Sequence, residues 1–193
     1  MIIPRITKPY EPGLPALGDD LENYLVVAGG SVTLKLEPGD KFKIINLEGL
    51  QQAELVAFNS KGECSLSSLS LKSEHKGELT KKILTSNEES AQIAYSKLKR
   101  LGHDVNSINQ SVLVFSKEAE ANSIEEFSSN DSSICIISAP GEFEITHENI
   151  PASELRVIVQ RSRKREEGEF LLPDPLMDPV EEIFVKRYTA MAY

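Results

Sequence analysis

Residues 31–47 read Ser31-Val32-Thr33-Leu34-Lys35-Leu36-Glu37-Pro38-Gly39-Asp40-Lys41-Phe42-Lys43-Ile44-Ile45-Asn46-Leu47. The first six alternate, so Val32, Leu34 and Leu36 share one face of an extended strand. Glu37-Pro38-Gly39-Asp40 is a turn, because proline presets φ and glycine accepts φ > 0. Lys41 to Leu47 resumes as a second strand. Upstream, Tyr24-Leu25-Val26-Val27 carries a strand signal that Gly29-Gly30 breaks. Downstream, Glu48-Gly49 turns the chain and Ala53-Glu54-Leu55-Val56-Ala57-Phe58 is a further strand. Tight turns between successive strands predict an antiparallel meander.

Beyond this block the signals thin out. Residues 60–84 are polar and serine-dense, anchored by Leu66, Leu69 and Leu71, and take no assignment. A helix is predicted over about 87–101. Ser86 and Glu89 have capping-box spacing, and Ala91, Ala94, Tyr95, Leu98 and Leu101 form an apolar stripe. Lys97, Lys99 and Arg100 suit the helix C-terminus, and Gly102 stops it. Residues 111–115 read as a strand, 116–127 as acidic and weakly helical, and 128–133 as a loop. Ile134 to Ser138 and Leu155 to Gln160 are strands. Arg161, Arg163, Lys164 and Arg165 then cluster, followed by Glu166 and Glu167. A solvated tip or linker explains that cluster, and an anion-binding spot built from guanidinium forks is the functional reading. Prolines 4, 9, 12 and 15 make the start an extended arm.

The expected fold is therefore α+β: a mostly antiparallel β barrel or sandwich with one main helix. The expected organisation is a proline-rich arm over 1–23, an α+β domain over 24–165, and over 166–193 a linker with the start of a second module. A chain of 193 residues with 40% hydrophobic and 26% charged residues can bury a core. Its formal net charge of −9 argues against phosphate-backbone binding, so no nucleic acid partner is expected. It has no secretory signal and no apolar run long enough to span a bilayer, so a cytoplasmic protein without a membrane partner is expected. Cys64 and Cys135 read as free thiols, with Cys135 a small core hydrophobe.

A faint internal echo supports the second module. With a shift of 159, Leu17, Asp19, Leu21, Glu22 and Val26 meet Leu176, Asp178, Val180, Glu181 and Val185. The alternative is a proline loop before a last strand of the same domain. The blocks Val27-Ala28-Gly29-Gly30, Leu36-Glu37-Pro38-Gly39-Asp40 and Ile44 to Asn59, with Leu47-Glu48-Gly49-Leu50-Gln51-Gln52-Ala53-Glu54-Leu55 at its centre, resemble the urea-carboxylase-associated family. Residues 172–193 are similar to the junction at which such modules precede an aminomethyltransferase-like domain, related to the glycine-cleavage T-protein. The resemblance implies an accessory, non-catalytic module of a larger protein of one-carbon and amine metabolism. Tetrahydrofolate would bind a downstream domain, and the partners would be downstream domains of the same polypeptide. The alternatives are a subunit of a carboxyguanidine-deiminase-like enzyme acting on a small urea-like substrate, and a pure interaction module. This sequence carries Glu54 where the family block has aspartate, one methylene longer.

Gln51 and Glu54 are the candidate ligands for a small amine or urea-like molecule, with Glu54 as base or counter-charge and Gln51 as hydrogen-bond donor. Satisfying turn backbone groups is the competing role. As a surface or loop carboxylate, Glu54 is expected to matter less for stability than Ile45. His75, His103 and His147 are scattered and read as solvated loop residues, and no catalytic residue, cofactor site or metal site is expected.

Overall fold

A strand covered on one side alternates, whereas one covered on both sides is apolar throughout. In the computed structural model, which describes residues 21–87, 89–116, 118–140 and 153–162, that rule sorts the strands into two sheets. The strands are β1 (Leu21–Val26), β2 (Ser31–Leu36), β3 (Lys41–Asn46), β4 (Ala53–Phe58), β5 (Val112–Val114), β6 (Ser123–Ser128), β7 (Ser133–Ser138) and β8 (Leu155–Gln160). Helices α1 (Glu78–Leu84) and α2 (Glu89–Arg100) lie between β4 and β5. One sheet has the order β1-β8-β3-β6 and the other β2-β7-β4-β5, with every named pairing antiparallel. This is the strand order of a jelly-roll sandwich. The α+β, β-rich expectation holds in sandwich form, with two helices. Most of the arm expected over 1–23 and all of 166–193 lie outside the described residues, but Leu21, Glu22 and Asn23 belong to β1.

The meander is corrected. From β1 to β4 successive strands change sheets, so β2 pairs with β7 rather than with β1 or β3. The turns themselves form as read. Gly39 has φ +87° and Asp40 N donates to Glu37 O at 3.0 Å, closing the Pro38-Gly39 turn. A tight turn reverses the chain without saying which layer receives it. Burial decides: Leu34 and Leu36 of β2 and Phe42 and Ile44 of β3 meet in one core from opposite sheets. All of β4 is buried, because Ala53, Leu55 and Ala57 face that core while Val56 and Phe58 face the helices.

The helical layer has its own apolar cluster, in which Ala94 and Leu98 of α2 and Leu84 of α1 meet Val56, Phe58 and Ile136. Helix α2 starts at Glu89, two residues later than read, and Gly102 stops it as read. Gly102 N donates to Lys99 O and His103 N to Leu98 O, a left-handed C-terminal cap. Two elements differ from the reading. Helix α1 lies within residues left unassigned, and β6 replaces the weak helix over part of 116–127. Strand β6 is held by tertiary contacts: Phe127 stacks on Phe42 with ring centroids 5.0 Å apart, and Glu126 lies opposite Lys43.

Arg161 is also corrected. Its guanidinium donates from Nε and Nη2 to the two carboxylate oxygens of Glu22, at 2.9 and 2.7 Å. Its Nη1 donates to Asp40 Oδ2 at 2.8 Å and to Lys35 O at 2.7 Å. The fork therefore ties β8 to β1, β2 and the β2–β3 turn instead of standing in solvent. Burial alone would raise the Asp40 pKa, but the backbone N–H groups of Glu37 and Ser162 and the Arg161 guanidinium outweigh it and hold the carboxyl below its ordinary value. A depressed carboxyl stabilises the fold fully above the unfolded value of about 3.9, and the benefit is lost as pH falls through the folded value. Asp40→Asn is therefore expected to be less stable than the parent at pH 7, with the gap narrowing below about pH 4. Urea midpoints of both chains from pH 7 to pH 2 check this, and a constant gap would refute it.

Candidate functional site

A carboxylate inside the apolar run Ala53 to Phe58 must be either at the surface or partnered. Glu54 is 1% exposed. It lies on the helix-facing side of β4, in a polar row across the sheet with Ser138 of β7 and Ser31 of β2. Thr80 N donates to Glu54 Oε2 at 2.5 Å, and Ser111 Oγ donates to Oε1 at 2.8 Å. Thr80 is the third residue of α1, so its N–H has no partner within the helix. The helix is preceded by Gly77, which has no side chain to cap it, and Glu54 does that work from a neighbouring strand.

The network continues in both directions. Gly77 N donates to Ser111 Oγ at 2.8 Å. Thr80 Oγ1 donates to Ser138 Oγ at 3.0 Å, and Ser138 Oγ lies 2.7 Å from Ser31 Oγ. All five side chains are buried. The sequence reading missed Ser31, Thr80, Ser111 and Ser138, which lie far apart in the chain. The one available signal was Glu54 itself, an acid with apolar neighbours.

Gln51 is also buried, at 3% exposure, but its bonds lead elsewhere. Its Oε1 accepts Ser153 N at 2.9 Å and its Nε2 donates to Gln52 O. Its carbonyl accepts Asn46 Nδ2 at 2.7 Å, while Asn46 Oδ1 accepts Gly49 N at 3.0 Å. Gln51 thus binds the β3–β4 turn to the lead-in of β8. Gln51 and Glu54 share no hydrogen-bond partner, and each has its polar atoms engaged within the fold.

The other candidates separate in the same way. His75 is exposed. His103 is corrected from a solvated loop residue: its ring stacks on buried Phe58, with centroids 4.5 Å apart. Burial pushes its pKa below the usual histidine value, against a smaller opposing effect of a Gly62 backbone hydrogen bond. His147 lies outside the described residues. Cys64 and Cys135 are free and buried, and burial pushes the Cys135 thiol well up, which keeps it protonated and unreactive. Among the described residues, no three His, Cys, Asp or Glu side chains gather as a metal site. No described helix is long and apolar enough to cross a membrane.

With this geometry in place, the chain was compared with known proteins. No family model matches it. It is similar over its whole length to a trimethylamine-oxide aldolase of Ruegeria pomeroyi, with 31% identity over 199 aligned residues. The chain spans only about a quarter of that relative's length, 25%. Among solved structures, a DUF1989 family protein from Silicibacter pomeroyi aligns over 91% of this chain and 92% of its own, at 13% identity and a TM-score of 0.47.

Proposed function

We propose that this chain is a non-catalytic structural module of a larger protein of methylated-amine and one-carbon metabolism. The observation that carries the reading is the engagement of both candidate ligands. Glu54 caps α1 and Gln51 locks a turn, so neither offers an open polar group to a substrate. A catalytic site needs groups of matched pKa held beside a reacting atom. The whole-length similarity to a quarter of a trimethylamine-oxide aldolase supports a place within a longer polypeptide.

The chemistry would lie in other domains of that polypeptide. Cleaving trimethylamine N-oxide into dimethylamine and formaldehyde balances in atoms and leaves a one-carbon unit. An aminomethyltransferase-like domain carrying tetrahydrofolate is suited to receive it. This module's share would be to fold stably and to position its neighbours.

The test is turnover by purified residues 1–193. Trimethylamine N-oxide, carboxyguanidine, and dimethylglycine with tetrahydrofolate are each supplied, and formaldehyde, ammonia or loaded folate is measured. Rates at the buffer blank are expected for all three. Turnover well above the blank with any one of them would make the chain an enzyme and overturn the reading.

A further inference from the structure

Each sheet of the sandwich ends in two edge strands, and an edge left open offers its backbone to another chain. Strands β1 and β2, at the same side of the sandwich, contact each other. At the other side, β5 has only three residues. Strand β6 is the exception. Among the described residues it pairs only with β3, it runs from Ser123 to Ser128, and it has no buried residue. The direction of its backbone groups follows from its ends. Ser129 N donates to Asp40 O at 2.8 Å, and Asn46 O accepts Asn122 N at 2.6 Å. Asp40, Phe42, Ile44 and Asn46 therefore turn their backbone groups toward β6. Alternation along an antiparallel ladder then engages Glu125 and Phe127 with β3. It leaves the N–H and C=O groups of Ile124, Glu126 and Ser128 pointing outward.

The side chains of this edge select what can pair with it. Glu125 lies opposite Ile44, which is fully buried, so Glu125 points to the core side of its sheet, as Phe127 does. It is nonetheless exposed, and Ile44 offers it no counter-charge, whereas Glu126 lies opposite Lys43. If two copies of β6 paired antiparallel and continued one sheet, core-side residues would meet core-side residues. Two registers keep most of the strand paired. In one, Glu125 meets the Glu125 of the copy. In the other, Glu126 meets its own copy and Glu125 is set against Phe127. Like charges directly opposite, about 5 Å apart, destabilise a ladder. We propose that the free edge of β6 is a strand-addition surface, closed to a second copy of this chain by Glu125 and Glu126. It accepts an extended segment of another chain that carries lysine or arginine opposite Glu125. Ile124, 49% exposed on the outer side of the strand, adds an apolar contact for that segment. The inference rests on strand geometry and charge and stands apart from the functional reading above.

The probe is the full 193-residue chain carrying Glu125→Lys, whose own β6 then presents the required cation. Hydrogen exchange and sedimentation are measured on the parent, on the variant and on their equimolar mixture, with the β8 amides reporting that each chain is folded. In the parent and the variant alone, the amides of Ile124, Glu126 and Ser128 are expected to exchange freely while Phe127 is protected by β3. In the mixture, the register centred on position 125 sets the new lysine against Glu125 of the parent. Those three amides are then expected to slow by about fivefold or more, and the weight-average mass to rise above that of either solution. Ile124→Pro in both chains removes an outward N–H that β3 does not use, and is expected to abolish both changes while the β8 amides keep their protection. Slow exchange of the three amides in the parent alone would overturn the proposal, because the edge would already be occupied. A mixture that behaves as the sum of its parts would also overturn it, as would an association that survives Ile124→Pro.

Discussion

Glu54→Ala is expected to destabilise the protein by about 3 kcal/mol. Its carboxylate accepts from Thr80 N and Ser111 Oγ in a site that is 1% exposed. Alanine removes the acceptor and leaves both donors inside the fold. An abandoned buried donor costs about 1–3 kcal/mol, and bonds to a charged group lie at the upper end. Ser111 Oγ already accepts from Gly77 N, so its proton has no ready alternative. For a domain of this size the loss corresponds to roughly 6–12 °C in Tm. Ile45 is half-buried on the outer face of its sheet, so Ile45→Ala is expected to cost less, under about 1.5 kcal/mol. This reverses the order read from sequence, in which Glu54 is a surface or loop carboxylate. Thermal and urea melts of the two variants decide it, and a greater loss from Ile45→Ala would show that the capping network contributes little. Ser111→Ala, alone and with Glu54→Ala, completes a cycle in which the double variant should cost clearly less than the sum.

Gly77→Ala is expected to cost about 2–4 kcal/mol at the same joint. Gly77 has φ +73°, a backbone that side chains adopt at a cost of about 1 kcal/mol. A Cβ there would lie 2.2 Å from Ile108 Cγ2, far inside contact distance. Ile108 is fully buried and so cannot swing aside. The helix would have to move away from β4, stretching the Thr80–Glu54 bond. Gly29 supplies the control. It has φ +72° and nothing within 4 Å of its added Cβ, so Gly29→Ala should cost the backbone strain alone, about 1 kcal/mol. Equal losses in the two variants would mean that the close approach of Ile108 relaxes without penalty.

How much of this was legible in the sequence depended on distance along the chain. The turn at Pro38-Gly39 and the stop at Gly102 were readable because glycine and proline act on their own backbone, and both form as read. Cys135 was readable as core from its apolar neighbours. Helix α1 was not, since its N-terminus is capped by a residue 26 positions away and its sequence offers no local cap. Arg161 read as solvated because its carboxylate partners, Glu22 and Asp40, lie over a hundred residues upstream.

By itself, the sequence determined where β2–β5, β7 and β8 lie, where α2 ends, and that Val32, Leu34 and Leu36 of β2 share one face. These follow from residue periodicity and backbone preference, which operate over a few residues. Only the tertiary structure decided which sheet receives each strand, that the acidic stretch before Ser128 becomes β6, and that Glu54 and Gln51 turn inward. Those outcomes depend on pairing between strands far apart in sequence and on two apolar clusters filled from both sides of β4. Period-two alternation specifies a face but not the neighbour that will cover it. A buried carboxylate is stable only where distant donors converge on it, and that convergence exists only once the chain has folded.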